Sequence, residues 1–146
     1  MKADHNLQRF LDAQNNSYSR ALAEIRSGRK QTHWMWYIFP QIAGLGFSET
    51  TRFYAIKDLQ EARDYLEHPI LGSRLIEIAN AMLQLEGKSA NQILGNPDDM
   101  KLHSSMTLFS LLERTDPVFQ AVLSKYFNNL PDQRTLAILK DRSTTS

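Results

Sequence analysis

The stretch His68-Pro69-Ile70-Leu71-Gly72-Ser73-Arg74-Leu75-Ile76-Glu77-Ile78-Ala79-Asn80-Ala81-Met82-Leu83-Gln84-Leu85-Glu86-Gly87 reads as one amphipathic helix. Pro69 has no backbone N–H and fits only at a helix opening, where that donor would be unused. Leu71, Leu75, Ile78, Ala79, Met82 and Leu85 follow the period of a single buried helical face. Gly87 stops the pattern.

The same grammar extends in both directions. Upstream, Asp58 with Glu61 three positions on is a capping-box start for a helix ending at His68. Ser48 caps a short helix through Tyr54 and Ile56. Leu7, Phe10, Leu11, Tyr18, Leu22 and Ile25 predict one first helix closing at Gly28. Downstream, Ser89 with Gln92 caps a single turn that stops at Gly95, and Asp98 or Asn96 opens a helix through Leu112. Asp116-Pro117 starts another ending near Tyr126, and Asp132 starts the last, which carries Leu136 and Leu139. No alternating strand pattern occurs. The class is all-α: about seven or eight short helices in one compact multihelical domain over residues 4–140, with a frayed polar tail over 141–146.

Composition narrows the function. A chain of 146 residues needs no staple to hold a core. Cysteine is absent, so there is neither a disulfide scaffold nor a thiol nucleophile, as suits a reducing compartment. Seventeen basic against 16 acidic residues leave a net charge of +1, which disfavours nucleic acid as a partner. The one local basic cluster, Arg26, Arg29 and Lys30, reads as a solvated helix C-terminus. Met1 to Asn6 is polar and lacks the apolar core of a signal peptide. The longest apolar stretch, Trp34 to Phe39, is far short of the roughly 20 residues that span a bilayer. A cytoplasmic protein without membrane partners is expected. Oligomeric state is not readable.

Chemistry concentrates in two places. Thr32-His33-Trp34-Met35-Trp36-Tyr37-Ile38-Phe39-Pro40-Gln41 holds both tryptophans, and Gly44-Leu45-Gly46-Phe47-Ser48 follows at once. On a helix, His33, Trp36, Tyr37 and Pro40 would share one face, and Trp34, Met35 and Ile38 another. Such rings are a core, a pocket wall, or both. The two glycines let backbone approach an anion closely ahead of a helix start capped by Ser48, although the turn matches no dinucleotide or nucleotide-triphosphate loop. The later place is the stripe Lys101, Ser104, Ser105 and Leu108. Short hydroxyls are poor choices for a solvated helix face, so they imply close approach of another helix or of a ligand. A Ser–Lys nucleophile is the weaker reading of that spacing. His5, His33, His68 and His103 are scattered, so no metal site is expected.

These blocks resemble the domain-of-unknown-function 1810 family. The likeness is carried by Lys30-x-Thr32-His33-Trp34-Met35-Trp36-Tyr37-Ile38-Phe39-Pro40-Gln41, Gly44-Leu45-Gly46-x-Ser48 and Tyr54-Ala55-Ile56. Glu61-Ala62, Tyr65-Leu66-x-His68-Pro69-x-Leu71-Gly72 and Arg74-Leu75 add to it. So do Asp98-Asp99-x-Lys101-Leu102-x-Ser104-Ser105-Met106-Thr107-Leu108-Phe109 and Asp132-x-x-Thr135-Leu136. The resemblance implies an all-α multihelical fold and a bacterial-type cytoplasmic protein, of a family whose activity is not established. Asn129 stands where the family pattern has glycine, and Leu94 where it has an aromatic; asparagine also tolerates a left-handed backbone. Relatives often carry the label calpastatin. A calpain-inhibitor segment resembles a disordered chain rich in proline, whereas this one has dense apolar periodicity and 5 prolines.

The function expected from these residues is binding of a small anionic molecule, phosphate-bearing or nucleotide-like, with no cofactor and no assigned catalytic residue. His33, Trp36 and Gln41 would line the pocket, Gly44, Gly46 and Ser48 would meet the anion, and Lys101, Ser104 and Ser105 would complete it. A shared pocket requires Lys101, Ser104 and His33 to converge. The alternative is a protein-interaction module that presents the aromatic segment Thr32–Gln41 without catalysis.

Overall fold

The structure is a computed structural model; it describes residues 2–145, with side chains for residues 7–141. The expected frayed tail over 141–146 lies, apart from Asp141, outside the described side chains. Among the described residues there are ten helices: α1 Lys2–Asn15, α2 Tyr18–Arg26, α3 Met35–Ile38, α4 Glu49–Tyr54, α5 Leu59–Glu67, α6 Leu71–Gln84, α7 Ala90–Leu94, α8 Asp98–Ser110, α9 Val118–Phe127 and α10 Gln133–Thr145. All-α is therefore right, but seven or eight helices is too few. Seven helices have seven or more residues, and α3, α4 and α7 are shorter. One extra boundary divides the expected first helix. Its apolar period crosses Asn16 and Ser17, yet the chain turns there and restarts as α2.

Capping residues set several helix starts. The Ser48 hydroxyl accepts the Thr51 N–H at 3.1 Å and starts α4. Asp58 accepts the Glu61 N–H, while the Glu61 carboxylate reaches past the expected position to the Lys57 N–H. Ser89 and Gln92 form a reciprocal capping box. Asp132 accepts both the N–H and the hydroxyl of Thr135. Asn129 takes φ +63°, the left-handed conformation expected of a glycine substitute.

Helix α8 is the hub. It packs against α5, α7, α9 and α10, while α6 joins α2, α5 and α9. Ser104 to Phe109 are all buried, so α8 has no solvated face along that run. A relay of rings links the layers: Phe10 meets Tyr65 edge-on at 5.0 Å, Tyr65 lies 5.6 Å from Phe109, and Phe109 lies 5.7 Å from Phe119. Four helices thus share one aromatic core, each buried ring contributing about 1.5–3 kcal/mol.

Arg9 anchors the chain between α4 and α5. Its guanidinium donates to the carbonyls of Phe53 and Ala55 and pairs with Glu61 at 3.2 Å. Ile42 and Ile56 form an isolated parallel bridge, with Ile56 N–H on Gln41 O and Ala43 N–H on Ile56 O. These contacts hold the glycine turn and α4 against the body of the protein.

Candidate functional site

The aromatic segment is not one helix. Only Met35 to Ile38 is helical, so His33 and Pro40 lie outside the turn and the expected common face with Trp36 and Tyr37 does not form. Its approach is shaped instead by Glu24 of α2. This buried carboxylate accepts the N–H groups of Gln31 at 2.8 Å and Thr32 at 3.0 Å, the Thr32 hydroxyl at 2.7 Å, and the Trp34 indole N–H at 2.9 Å. Burial alone would push its pKa up, but those four donors overcome the desolvation and hold it at about 2.

From this anchor the two indoles frame a charge bridge. Lys30 Nζ lies 5.2 Å from the Trp34 ring centre and 2.8 Å from one oxygen of Asp98. Lys101 Nζ lies 5.0 Å from the Trp36 ring centre and 3.6 Å from the other oxygen. Each lysine therefore combines an ion pair with a cation–π contact. Lys30 corrects the expectation of a solvated basic helix end, since its side chain is only 7% exposed.

Beside this bridge a cleft of about 200 Å³ opens between the glycine turn and the first turns of α8 and α10. Its polar residues are Gln41, Thr51, Lys101 and Arg134; Leu45, Pro97 and Met100 form its apolar wall, with Gly46 at the edge. A recess of about 10 Å³, lined by Trp36 and sharing Gln41 and Thr51, adjoins it. Asp98 binds Lys101 and Asp132 approaches Arg134 at 3.7 Å, so each cation is oriented by a carboxylate that does not itself line the cleft.

The early and late segments do meet, though through fewer of the expected residues. Gln41, Gly46 and Lys101 line the cleft, and Trp36 supports Lys101 from the recess. Ser48 stands outside but donates a hydrogen bond of 2.8 Å to the hydroxyl of Thr51, a lining residue. Gly44 is exposed at φ +109° and shapes the turn. His33 is exposed and not part of the lining. Ser104 and Ser105 are fully buried. Of Lys101, Ser104 and His33, only Lys101 reaches the cleft.

The buried hydroxyls have their own logic. Thr135 donates to Asp132 at 2.6 Å, so Ser104, 3.1 Å from the Thr135 oxygen, must be the donor of that pair. This relay locks α8 to α10 and thereby sets Arg134 opposite Lys101. Small side chains at 104 and 105 accordingly permit close helix contact. The Ser105 oxygen is buried without a hydrogen-bond partner among the described residues. Ser105→Ala should raise stability by about 1 kcal/mol, read from the urea midpoint, because it removes an orphaned polar group from a helix interior. A loss of stability would mean that the hydroxyl is bonded.

Thr51, Asp98 and Arg134 are the site residues that sequence spacing does not reveal. Arg134 does leave a signal: it sits in the first turn of α10, where a cation opposes the helix dipole.

The family model described as protein of unknown function (DUF1810) matches residues 4–139. The chain belongs to the DUF1810 family. This DUF1810 protein is similar in structure to the conserved hypothetical protein Rv1873 of Mycobacterium tuberculosis, with a TM-score of 0.91 and 45% sequence identity. The match covers 92% of this chain and 96% of that one. No curated protein matches the chain. Among the described residues of this DUF1810 protein, no helix is long and apolar enough to cross a membrane.

Proposed function

We propose that the cleft binds the anionic end of a small phosphate-bearing or nucleotide-like molecule. The observation that carries this reading is the placement of Lys101 and Arg134 on one hollow with Gln41 and Thr51, facing an apolar wall of Leu45, Pro97 and Met100. Two cations with amide and hydroxyl groups complement an oxyanion, and the apolar wall suits the group that carries it. At about 200 Å³ the hollow is smaller than the roughly 300–1,000 Å³ common for whole ligands, so it suits an anionic head with the remainder lying outside.

The alternative, a partner surface made by Thr32–Gln41, finds less support. Trp34, Met35, Ile38 and Phe39 are buried in the core. A Ser–Lys nucleophile is likewise disfavoured, since Ser105 is inaccessible and Lys101 is paired with Asp98. A cytoplasmic location accords with the absence of cysteine.

The test is a thermal-shift panel of nucleoside monophosphates and sugar phosphates. A binder at 100 times its dissociation constant should add about 2.7 kcal/mol. Arg134→Gln should remove that shift and leave the unliganded melting temperature within about 2 °C, because among the described residues its half-exposed side chain makes only one long ion pair. A panel without any shift, or one in which Arg134→Gln and Lys101→Ala keep it, would end this reading.

A further inference from the structure

We propose a second anion site, separate from the cleft, that takes the phosphate chain of a small di- or triphosphate. It lies in a hollow of about 500 Å³ between the segment that follows α2 and the loop joining α6 to α7. Arg29, Lys30 and Lys88 line it together with the amides Asn91 and Gln92; no carboxylate is among its lining residues, and Asp99 beside them accepts from the Asn91 amide at 3.3 Å. A concave surface with cations of one sign concentrates positive potential even in a chain whose overall charge is nearly balanced.

The three cations differ in what they can offer. Arg29 is exposed, and its guanidinium has no partner among the described residues, so its full fork of donors is available. Lys88 Nζ donates to the Gly28 carbonyl at 2.9 Å, which fixes the ammonium at the hollow and leaves two donors. Lys30 is nearly buried and its charge is largely neutralised by Asp98, so contact with an anion falls to Arg29 and Lys88.

Backbone geometry is built around this placement of Lys88. Gly28 has φ +90°, and a Cβ there would stand 2.8 Å from Lys88 Nζ. The glycine thus supplies both the turn and the room for the lysine to cross it. Gly87 and Gly95 also line the hollow, both at positive φ, and a Cβ on either would meet nothing within 4 Å. Open backbone beside paired cations and amides suits an extended polyanion better than a single small one, since one phosphate would leave most of these donors unengaged. The site is distinct from the cleft, because Arg29 and Lys88 do not line the cleft and Arg134 does not line this hollow; the two share Asp98, which pairs with both Lys30 and Lys101.

The experiment is calorimetric titration of the full chain with inorganic tripolyphosphate, with orthophosphate as comparator. Tripolyphosphate should bind at least tenfold more tightly than orthophosphate. Arg29→Gln and Lys88→Gln should each weaken it at least tenfold with unchanged circular dichroism, whereas Arg20→Gln, exposed on α2 and in the lining of neither hollow, should leave it within twofold. Absence of binding at millimolar tripolyphosphate overturns the proposal, as does equal affinity for orthophosphate. Full binding by Arg29→Gln also overturns it, and loss of binding in Arg134→Gln would move the anion to the cleft.

Discussion

Gly72→Ala should destabilise this protein by about 3 kcal/mol or more, visible as a large fall in the urea midpoint or as failure to accumulate folded protein. Gly72 is buried near the start of α6, where a Cβ would run into the backbone carbonyl oxygen of Leu66 in α5. No side-chain rotation relieves a clash with backbone. The helices must separate instead, and the α5–α6 contact supports Tyr65 at the centre of the ring relay. In an unobstructed helix the same change gains about 0.8–1 kcal/mol, because alanine is the better helix former. The sign of the effect therefore decides the matter: a neutral or stabilising result would show that the helices do not cross so closely. Gly46→Ala is the matched control. Its Cβ would also be crowded, at 2.8 Å, but by the end of the Thr51 side chain, which can rotate. That variant should lose far less stability, while narrowing the cleft that Thr51 lines.

What could be read in advance divides along the range of the interactions. The α6 stripe was legible because each element of it is local: Leu71, Leu75, Ile78, Ala79 and Met82 are all buried, and only Leu85, beyond the last turn, is half-buried. Caps at Ser48, Asp58, Ser89 and Asp132 are local too, since a side-chain oxygen needs only the N–H three positions on. The break at Asn16 and Ser17 was less visible, because the apolar residues on both sides keep a helical period and only the polar run Gln14 to Ser17 hints at it. The aromatic run misled for a different reason. At its entry the backbone N–H groups of Gln31 and Thr32 are satisfied by Glu24, so the chain there has no need of a helix. At the candidate site, Gln41, Gly46 and Lys101 stood out by residue type and setting. Asp98 and Arg134 gain meaning only from partners that folding brings near, such as Lys30 for Asp98, and Ser104 and Ser105 were marked by their unusual helix chemistry, whose cause is the closeness of α10 to α8.

Glu24→Ala should cost about 4 kcal/mol, and Glu24→Gln about 1–2 kcal/mol. Alanine strands two backbone N–H groups and the Trp34 indole N–H that the carboxylate now accepts, all around a nearly buried position. Glutamine keeps one acceptor oxygen for those donors and turns its amide toward the Thr32 hydroxyl, losing only the contribution of charge. The difference has a pH signature. The carboxyl is held at about 2 in the folded protein against an ordinary value near 4.5, so the folded state favours the ionised form. That stabilisation is complete above about pH 4.5 and drains away as pH falls through about 2. Urea unfolding of the wild type and Glu24→Gln should therefore diverge at pH 6 and converge towards pH 2. A constant gap across that range would mean that charge at this position is irrelevant. Trp34 provides a second readout: its emission should shift to the red in Glu24→Ala, as an indole that has lost its partner meets water. Because Trp34 supports Lys30, Lys30 holds Asp98, and Asp98 orients Lys101, the alanine variant should also weaken any phosphate response of the cleft, although no atom of Glu24 lines it. Retention of that response in a folded Glu24→Ala protein would break this chain of support at its first link.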